Sequence, residues 1–235
     1  MKILRSDLAH GHELQGAVVV IDVLRAFTTA AYAFAAGARA VRPAHSLDEI
    51  AALRARYPRS MTTGAQPGGA QLEGLDFGNS PSQLAGHDFS GVTLIQYTAG
   101  GVRGLVDCDH ATQVLAGSLV CARATAAYIQ RLEASTVTFV ITGLWTDRDG
   151  DEDHACADLI EAHLRGPVAD VGEYERRVRA SDFGRRFGDP AFPHLPGGDL
   201  ELCAAADRFG FAMPMRRTDH GLVIEPVALA EMPHA

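Results

Sequence analysis

Three times along this chain a short apolar run meets a polar or glycine-containing turn and then a helix-like stretch. The first unit is VVVID (residues 18–22), followed by VLRAF and the alanine-rich TTAAYAFAAGA. β-branched residues favour a strand and alanines a helix, and Gly37 is a suitable helix stop. ARAVRP then reads as a further strand. The second unit is VTLIQY (92–97), the turn TAGG, a short VRGLVD helix, and TQVLAG as a strand. Ser118 leads from there into a helix over CARATAAYIQRL. The third is VTFVIT (137–142), the long acidic turn GLWTDRDGDED, and the helix HACADLIEAHL. Apolar runs alternating with helices predict an α/β fold whose sheet is largely parallel or mixed, with helices on both faces.

At 235 residues the chain is long enough for a sizeable core, as one α/β unit over 1–235 or as two intimately packed subdomains. TTGAQPGGAQLEGLDFGNSPSQLAG, between the first and second units, is too long for an idle connection. Leu72, Leu75 and Phe77 give it apolar anchors, so an ordered loop is expected. Residues 165–200 read as a basic, turn-rich region. DLELCAAADRFG has helical periodicity, and GLVIEPVAL reads as a last strand.

Charge and composition exclude some functions. With 29 acidic against 21 basic residues and aromatics at 7%, the chain lacks the basic footprint and stacking surface of a nucleic-acid binder. Its first residues have no long apolar core of a signal peptide, and Asp22, Arg25, Gly37 and Arg39 interrupt the apolar stretches. Cys108, Cys121, Cys156 and Cys203 show no CxxC spacing, which suits reduced thiols in a cytoplasmic protein.

Ligands of open α/β sheets bind beyond the carboxyl ends of the strands, which directs attention to Asp22 and Arg25, to Thr98 through Gly101, and to residues 147–153. Asp22 could ligate a hard cation or orient a nucleophile, and the planar donors of Arg25 fit phosphate or sulfonate oxygens. Equally, Asp22 could cap the next helix and Arg25 make a structural ion pair. Thr98, Ala99, Gly100 and Gly101 form a turn whose amides could cradle an anion. Asp147, Asp149, Asp151, Glu152 and Asp153 are the densest run of oxygen ligands, but the glycine and the final glutamate of a calcium loop are missing. Magnesium ligation or helix capping remain, with Glu152 and Asp153 the best candidates for ligation. Asp76, Asn79 and Ser80 form a compact polar group that ordinary turn chemistry also explains.

Taken in order, these segments resemble the 2-phosphosulfolactate phosphatase family, magnesium-dependent enzymes associated with coenzyme M synthesis. VVVIDVLRAFTTA is similar to its strand-end Asp and Arg motif, EGLDFGNSP to its Gly-Phe-Asp-Leu-Gly-Asn-Ser-Pro loop, and VLAGSLVCARATAAYI to its strand-and-helix segment. Glu152-Asp153 matches its Leu-Glu-Asp pair, and SDFGRRF with DLELCAAADRFGFAMP its C-terminal part. The resemblance implies Mg²⁺-dependent hydrolysis of the phosphate monoester of a small acid. Magnesium would be held by carboxylates drawn from Asp22, Asp76, Glu152 and Asp153. Asp22 would be nucleophile or ligand, and Arg25 would bind phosphoryl oxygens. Thr98, Ala99, Gly100, Gly101, Asn79 and Ser80 would line the substrate site. A homodimer is the general expectation for an oligomer.

The chain departs from the family at this site. Gly64-Ala65-Gln66 replaces Gly-Glu-Arg, Tyr97-Thr98-Ala99-Gly100-Gly101 replaces Thr-Thr-Asn-Gly-Thr, and Gly150-Asp151 replaces Ser-Leu. Loss of the Glu-Arg pair motivates a second reading, a diverged binder of a phosphate or sulfonate metabolite, and since one chain shows no coenzyme M context, a phosphatase for an unrelated phosphorylated acid is another. A metal-stabilised structural protein is a further alternative, in which magnesium but no small acid raises Tm.

Overall fold

The computed structural model describes residues 1–145 and 147–231, and its elements are numbered here in chain order. Four strands form a parallel block in the order β1-β7-β2-β6: β1 (Lys2–Asp7), β2 (Ala17–Ile21), β6 (Gln113–Gly117) and β7 (Thr136–Ile141). A second parallel block, β3-β5-β4, contains β3 (Ala40–Ala44), β4 (Ser60–Gly64) and β5 (Thr93–Tyr97). The hairpin of β10 (Phe211–Thr218) and β11 (Gly221–Ile224) joins them, with β10 antiparallel to β6 and β11 antiparallel to β3. A short β12 (Val227–Ala228) also pairs with β10. The sheet is therefore mixed.

Packing explains why β2 reads AVVVI without a polar residue. All five of its side chains are buried, and alternate ones enter two different cores. Ala17, Val19 and Ile21 pack with α4 (Ala122–Arg131), α5 (Asp151–Arg165) and Val178 of α6 (Gly172–Ala180). Val18 and Val20 face α1 (Ala26–Ala35), alongside Leu105 of α3 (Gly101–Asp107). Helix α2 (Leu47–Arg56) covers the second block through Ile50 and Leu53 against Ala44 and Ile95. The last helix is α7 (Gly197–Cys203).

Helix α1 is buried almost all round, with side chains from Ala26 through Ala31, then Ala33 and Phe34, shielded from water. A helix apolar on every side belongs inside a core, and its alanines let neighbours approach closely. Both blocks reach it: Val18 and Val20 from one, Val41 and Leu94 from the other. The sheet thus curls around α1. That curl matters, because three antiparallel steps separate β6 from β3, so the two blocks run in opposite senses along the sheet. Curled, it delivers the carboxyl ends of β2 and β7 and those of β4 and β5 to one place.

Two segments that read as turns in the sequence hold regular elements instead. The long acidic turn is replaced by a small hairpin of β8 (Leu144–Trp145) and β9 (Arg148–Asp149), after which α5 begins at Asp151. Gly150 makes that junction at φ +65°, where an added Cβ would lie 3.0 Å from the Leu144 amide nitrogen. Asp151, Glu152 and Asp153 therefore sit in the first helical turn, where negative charge suits the helix dipole. The basic region after α5 contains α6, which the sequence reading left as turns. The loop after β4 is ordered as expected. Phe77 packs on the α1 core, Leu75 on the α2 core, and bridges Thr63–Phe77 and Ala65–Gln71 pin the backbone.

Candidate active site

The cleft lies where the strand ends converge. Asp22, Arg25, Ala65 through Gly69, Asn79, the 98–100 turn, Thr142, Gly143, Arg148, Glu152 and Asp153 surround about 70 Å³ of space open to water-sized molecules.

Asp22 follows the last residue of β2, and its carboxylate bridges two helix starts. Oδ1 accepts from the Ala26 amide at 3.0 Å, and Oδ2 from the Gly101 amide at 3.2 Å. Burial pushes its pKa up, against the pull of those amides and of the Arg148 and Arg25 charges. Gly101 is required here by close approach: a Cβ would stand 2.8 Å from Asp22 Oδ2 and 2.9 Å from Phe27 Cζ. Gly101→Ala is accordingly expected to displace the carboxylate and lower kcat/KM by about 10- to 100-fold. Steady-state kinetics on a folded variant checks this, and parental kcat/KM would contradict it.

Asp153, in the first turn of α5, is the anchor of the opposite wall. Its Oδ1 accepts from the Val23 amide at 2.9 Å, and its Oδ2 from the amides of Thr142 at 3.1 Å and Gly143 at 2.7 Å. One side chain thus ties the end of β2 to the end of β7. Burial, followed by the charges of Glu152 and Asp22, drives its pKa well above the usual carboxylate range. Glu152 is 2% exposed, and its Oε2 has no hydrogen-bond partner among the described residues. Burial pushes its pKa up to about 7. The other acids of this run face elsewhere. Asp147 pairs with Arg186, Asp149 accepts from the Asp151 and Asp182 amides, and Asp151 pairs with Arg177.

Arg25 lines the cleft, and both of its terminal nitrogens are bonded to the protein itself. Nη1 meets Asp199 Oδ2 at 2.6 Å and the His194 carbonyl at 3.4 Å, and Nη2 donates to the Gly69 carbonyl. Both sequence readings of Arg25 therefore meet in one residue, an ion pair within the cleft wall. Arg148 is the second guanidinium at the cleft, stacked 4.4 Å from the ring centroid of Phe183.

The remaining expected residues divide. Asn79 lines the cleft, held by donation to the Tyr97 carbonyl at 3.0 Å and acceptance from Gln96 at 3.2 Å. Thr98, Ala99 and Gly100 line it too, but the Gly100 and Gly101 amides bond inward to Thr98 Oγ1 at 3.2 and 2.9 Å. Those two donors do not form the open anion cradle expected of the turn. Ser80 sits behind the wall, donating to Asp199 at 2.9 Å. Asp76 is apart from the cleft. Its Oδ2 accepts from the Thr62 amide at 2.7 Å and hydroxyl at 2.8 Å, and Arg54 stands 3.8 Å from its Oδ1. In this structure Asp76 performs turn chemistry, because the loop returns along β4 instead of crossing to the strand ends.

Arg148, Asp199 and Thr142 were not singled out from sequence. Thr142 closes an apolar run and Arg148 is the base within an acidic stretch, so both carried a local signal. Asp199 carried none, since it meets Arg25 across 174 positions.

Comparison with known proteins gives the family. The family profile described as 2-phosphosulpholactate phosphatase matches residues 3–184. The protein of Bacillus subtilis (strain 168) named "Probable 2-phosphosulfolactate phosphatase" is 31% identical over 223 residues, covering 94% of this chain and 96% of its own. A protein of the same name from Gloeobacter violaceus is 38% identical over 226 residues, covering 89% and 92%. With the family profile spanning the strand ends that build the cleft, and relatives matching nearly end to end, the chain belongs to the 2-phosphosulfolactate phosphatase family, a family of phosphoric monoester hydrolases.

Proposed function

We propose that this chain is a magnesium-dependent phosphatase that hydrolyses the phosphate monoester of a small acid of the 2-phosphosulfolactate type. The observation that carries the reading is the convergence of Asp22, Glu152 and Asp153, all buried, on one cleft that also holds Arg148. Carboxylates packed this closely resist being ionised together, and a divalent cation relieves that conflict. The orphaned Glu152 Oε2 supplies a buried oxygen aimed at no protein donor.

Among the described residues, no three His, Cys, Asp or Glu side chains converge so as to hold an ion by themselves. Magnesium takes one or two carboxylates and keeps several waters. Asp22 and Glu152 are the residues that would hold it, while Asp153 is committed to the backbone amides that fix both strand ends. When bound, the ion would polarise the phosphoryl group and offset charge on the leaving oxygen. Asp22, held by the Ala26 and Gly101 amides, keeps lone pairs for orienting an attacking water. Arg148 adds positive charge where phosphoryl oxygens would sit, a role that sequence alone had given to Arg25. Arg25 instead keeps the wall formed by Gly69 and His194 in place.

Magnesium at about a hundred times its Kd should stabilise the fold by about 2.7 kcal/mol, or about 5–10 °C in Tm. Glu152→Gln should abolish most of that shift in a thermal melt. An undiminished shift in that variant would remove Glu152 from the metal site. The rival reading, a binder that does not hydrolyse its ligand, draws on Ala65 and Gln66, which line the cleft where the family has Glu-Arg. Phosphate release separates the two.

A cytoplasmic location is part of this proposal, supported by four unpaired, buried cysteines. Among the described residues no helix is long and apolar enough to cross a membrane. A homodimer is proposed on the general preference for two-fold symmetry, which sedimentation would read directly.

A further inference from the structure

We infer that Asp199 is a positioning residue of this cleft, acting through Arg25 on substrate affinity; the inference rests on reading the cleft as a phosphate site. Asp199 lies beyond residues 3–184, the span matched by the family profile, in the first turn of α7. It is fully buried. Its two oxygens serve different segments. Oδ2 holds Arg25 Nη1 at 2.6 Å, and Oδ1 accepts from Ser80 Oγ and the Ser82 amide, each at 2.9 Å.

What this carboxylate organises is one wall of the cleft. Arg25, fixed by Asp199 and seated 5.6 Å from the Phe187 ring centroid, holds the carbonyls of Gly69 and His194. His194 in turn reaches the Gly68 carbonyl at 3.0 Å. Ser80 adjoins Asn79, which lines the cleft. Asp199 therefore sets the spacing between the 66–69 loop and Asn79. It also neutralises Arg25, so that this guanidinium does not turn out as an uncompensated charge. Asp22 is held by the Ala26 and Gly101 amides, and Asp153 by those of Val23, Thr142 and Gly143, with no bond to Asp199. A fault at Asp199 should thus loosen ligand binding while sparing the groups that carry the reaction.

Asp199→Asn isolates this role. The amide oxygen still accepts from Ser80 and Ser82, while its NH₂ faces the Arg25 donors. The full-length, magnesium-loaded chain is titrated with inorganic phosphate by calorimetry, and kcat and KM are measured on the substrate it hydrolyses. The expected result is Kd and KM raised about tenfold with kcat within about threefold of the parent. Asp199→Glu, which keeps the charge pair but shifts the fork, should fall between, about threefold above the parental Kd, and carries the test if the asparagine variant does not fold. Parental Kd and KM in a folded variant, or a kcat loss that merely follows the folded fraction, would overturn the positioning role alone. A parent chain that binds no phosphate would overturn it together with the phosphatase reading.

Discussion

Asp22→Asn is expected to lower kcat for phosphate release by about a thousand-fold or more, about 4 kcal/mol of barrier, with Tm within a few degrees of the parent. The rate effect follows from charge and position. Asp22 is the carboxylate at the end of β2 with both oxygens fixed by backbone amides and lone pairs left toward the cleft. The amide is a poor magnesium ligand beside a carboxylate and cannot take up a proton from attacking water. Stability is spared because two effects oppose. The asparagine NH₂ confronts one of the two amides that Asp22 satisfied, a cost of about 1–3 kcal/mol. Against this, the substitution removes a buried negative charge that raises the pKa of neighbouring Asp153. Matched melts and initial rates test the pair of statements. Activity within tenfold of the parent would remove Asp22 from the chemistry.

Asp153→Ala should behave in the opposite way, costing stability first. The substitution strands the buried amides of Val23 and Thr142 and the half-buried amide of Gly143. At about 1–3 kcal/mol for each unsatisfied donor, the gross loss is at least about 3 kcal/mol. Relief of repulsion with Glu152 and Asp22 returns part of it. For a chain of this size about 2–4 °C of Tm accompanies each kcal/mol, so a fall of about 6–10 °C is expected. Activity should fall as well, because the ends of β2 and β7 lose their common anchor. An unchanged Tm by calorimetry would show that water or relaxation satisfies these amides, and that Asp153 is free to serve as a direct ligand.

These two carboxylates also show what was legible in the sequence. Strands β2, β5, β6 and β7 were readable because strands buried on both faces leave nearly unbroken apolar runs. Helix α1 announced itself by its alanines, and Glu152-Asp153 stood out from the acidic run as the pair to watch. The start of α5 was misplaced, since a glycine at positive φ begins the helix where the acids suggested a continuing turn. Strand β1 lies at the sheet's edge and carries exposed Leu4 among charged residues, so it lacks the buried-strand signature. Strand β10 mixes Pro214 and two methionines with arginines, and only its place between β6 and β11 makes it a strand.

The site was half legible for a related reason. Asp22, Asn79 and the 98–100 turn lie at or near strand ends or on a pinned loop, so the strand-end rule and local motifs found them. Asp76 and Ser80 belong to the same motif as Asn79, but backbone direction sends the first to Thr62 and the second to Asp199. Arg25's partners are 44, 169 and 174 positions away, distances at which local pattern carries no information.

Phosphate release from 2-phosphosulfolactate and a panel of other phosphorylated acids, with magnesium and with chelator, tests the central claim most directly. The expected result is release from at least one small phosphorylated acid that chelator abolishes and added magnesium restores. Silence across the panel from a chain shown to be folded and magnesium-loaded would contradict the phosphatase reading and leave a protein that binds such acids without hydrolysing them.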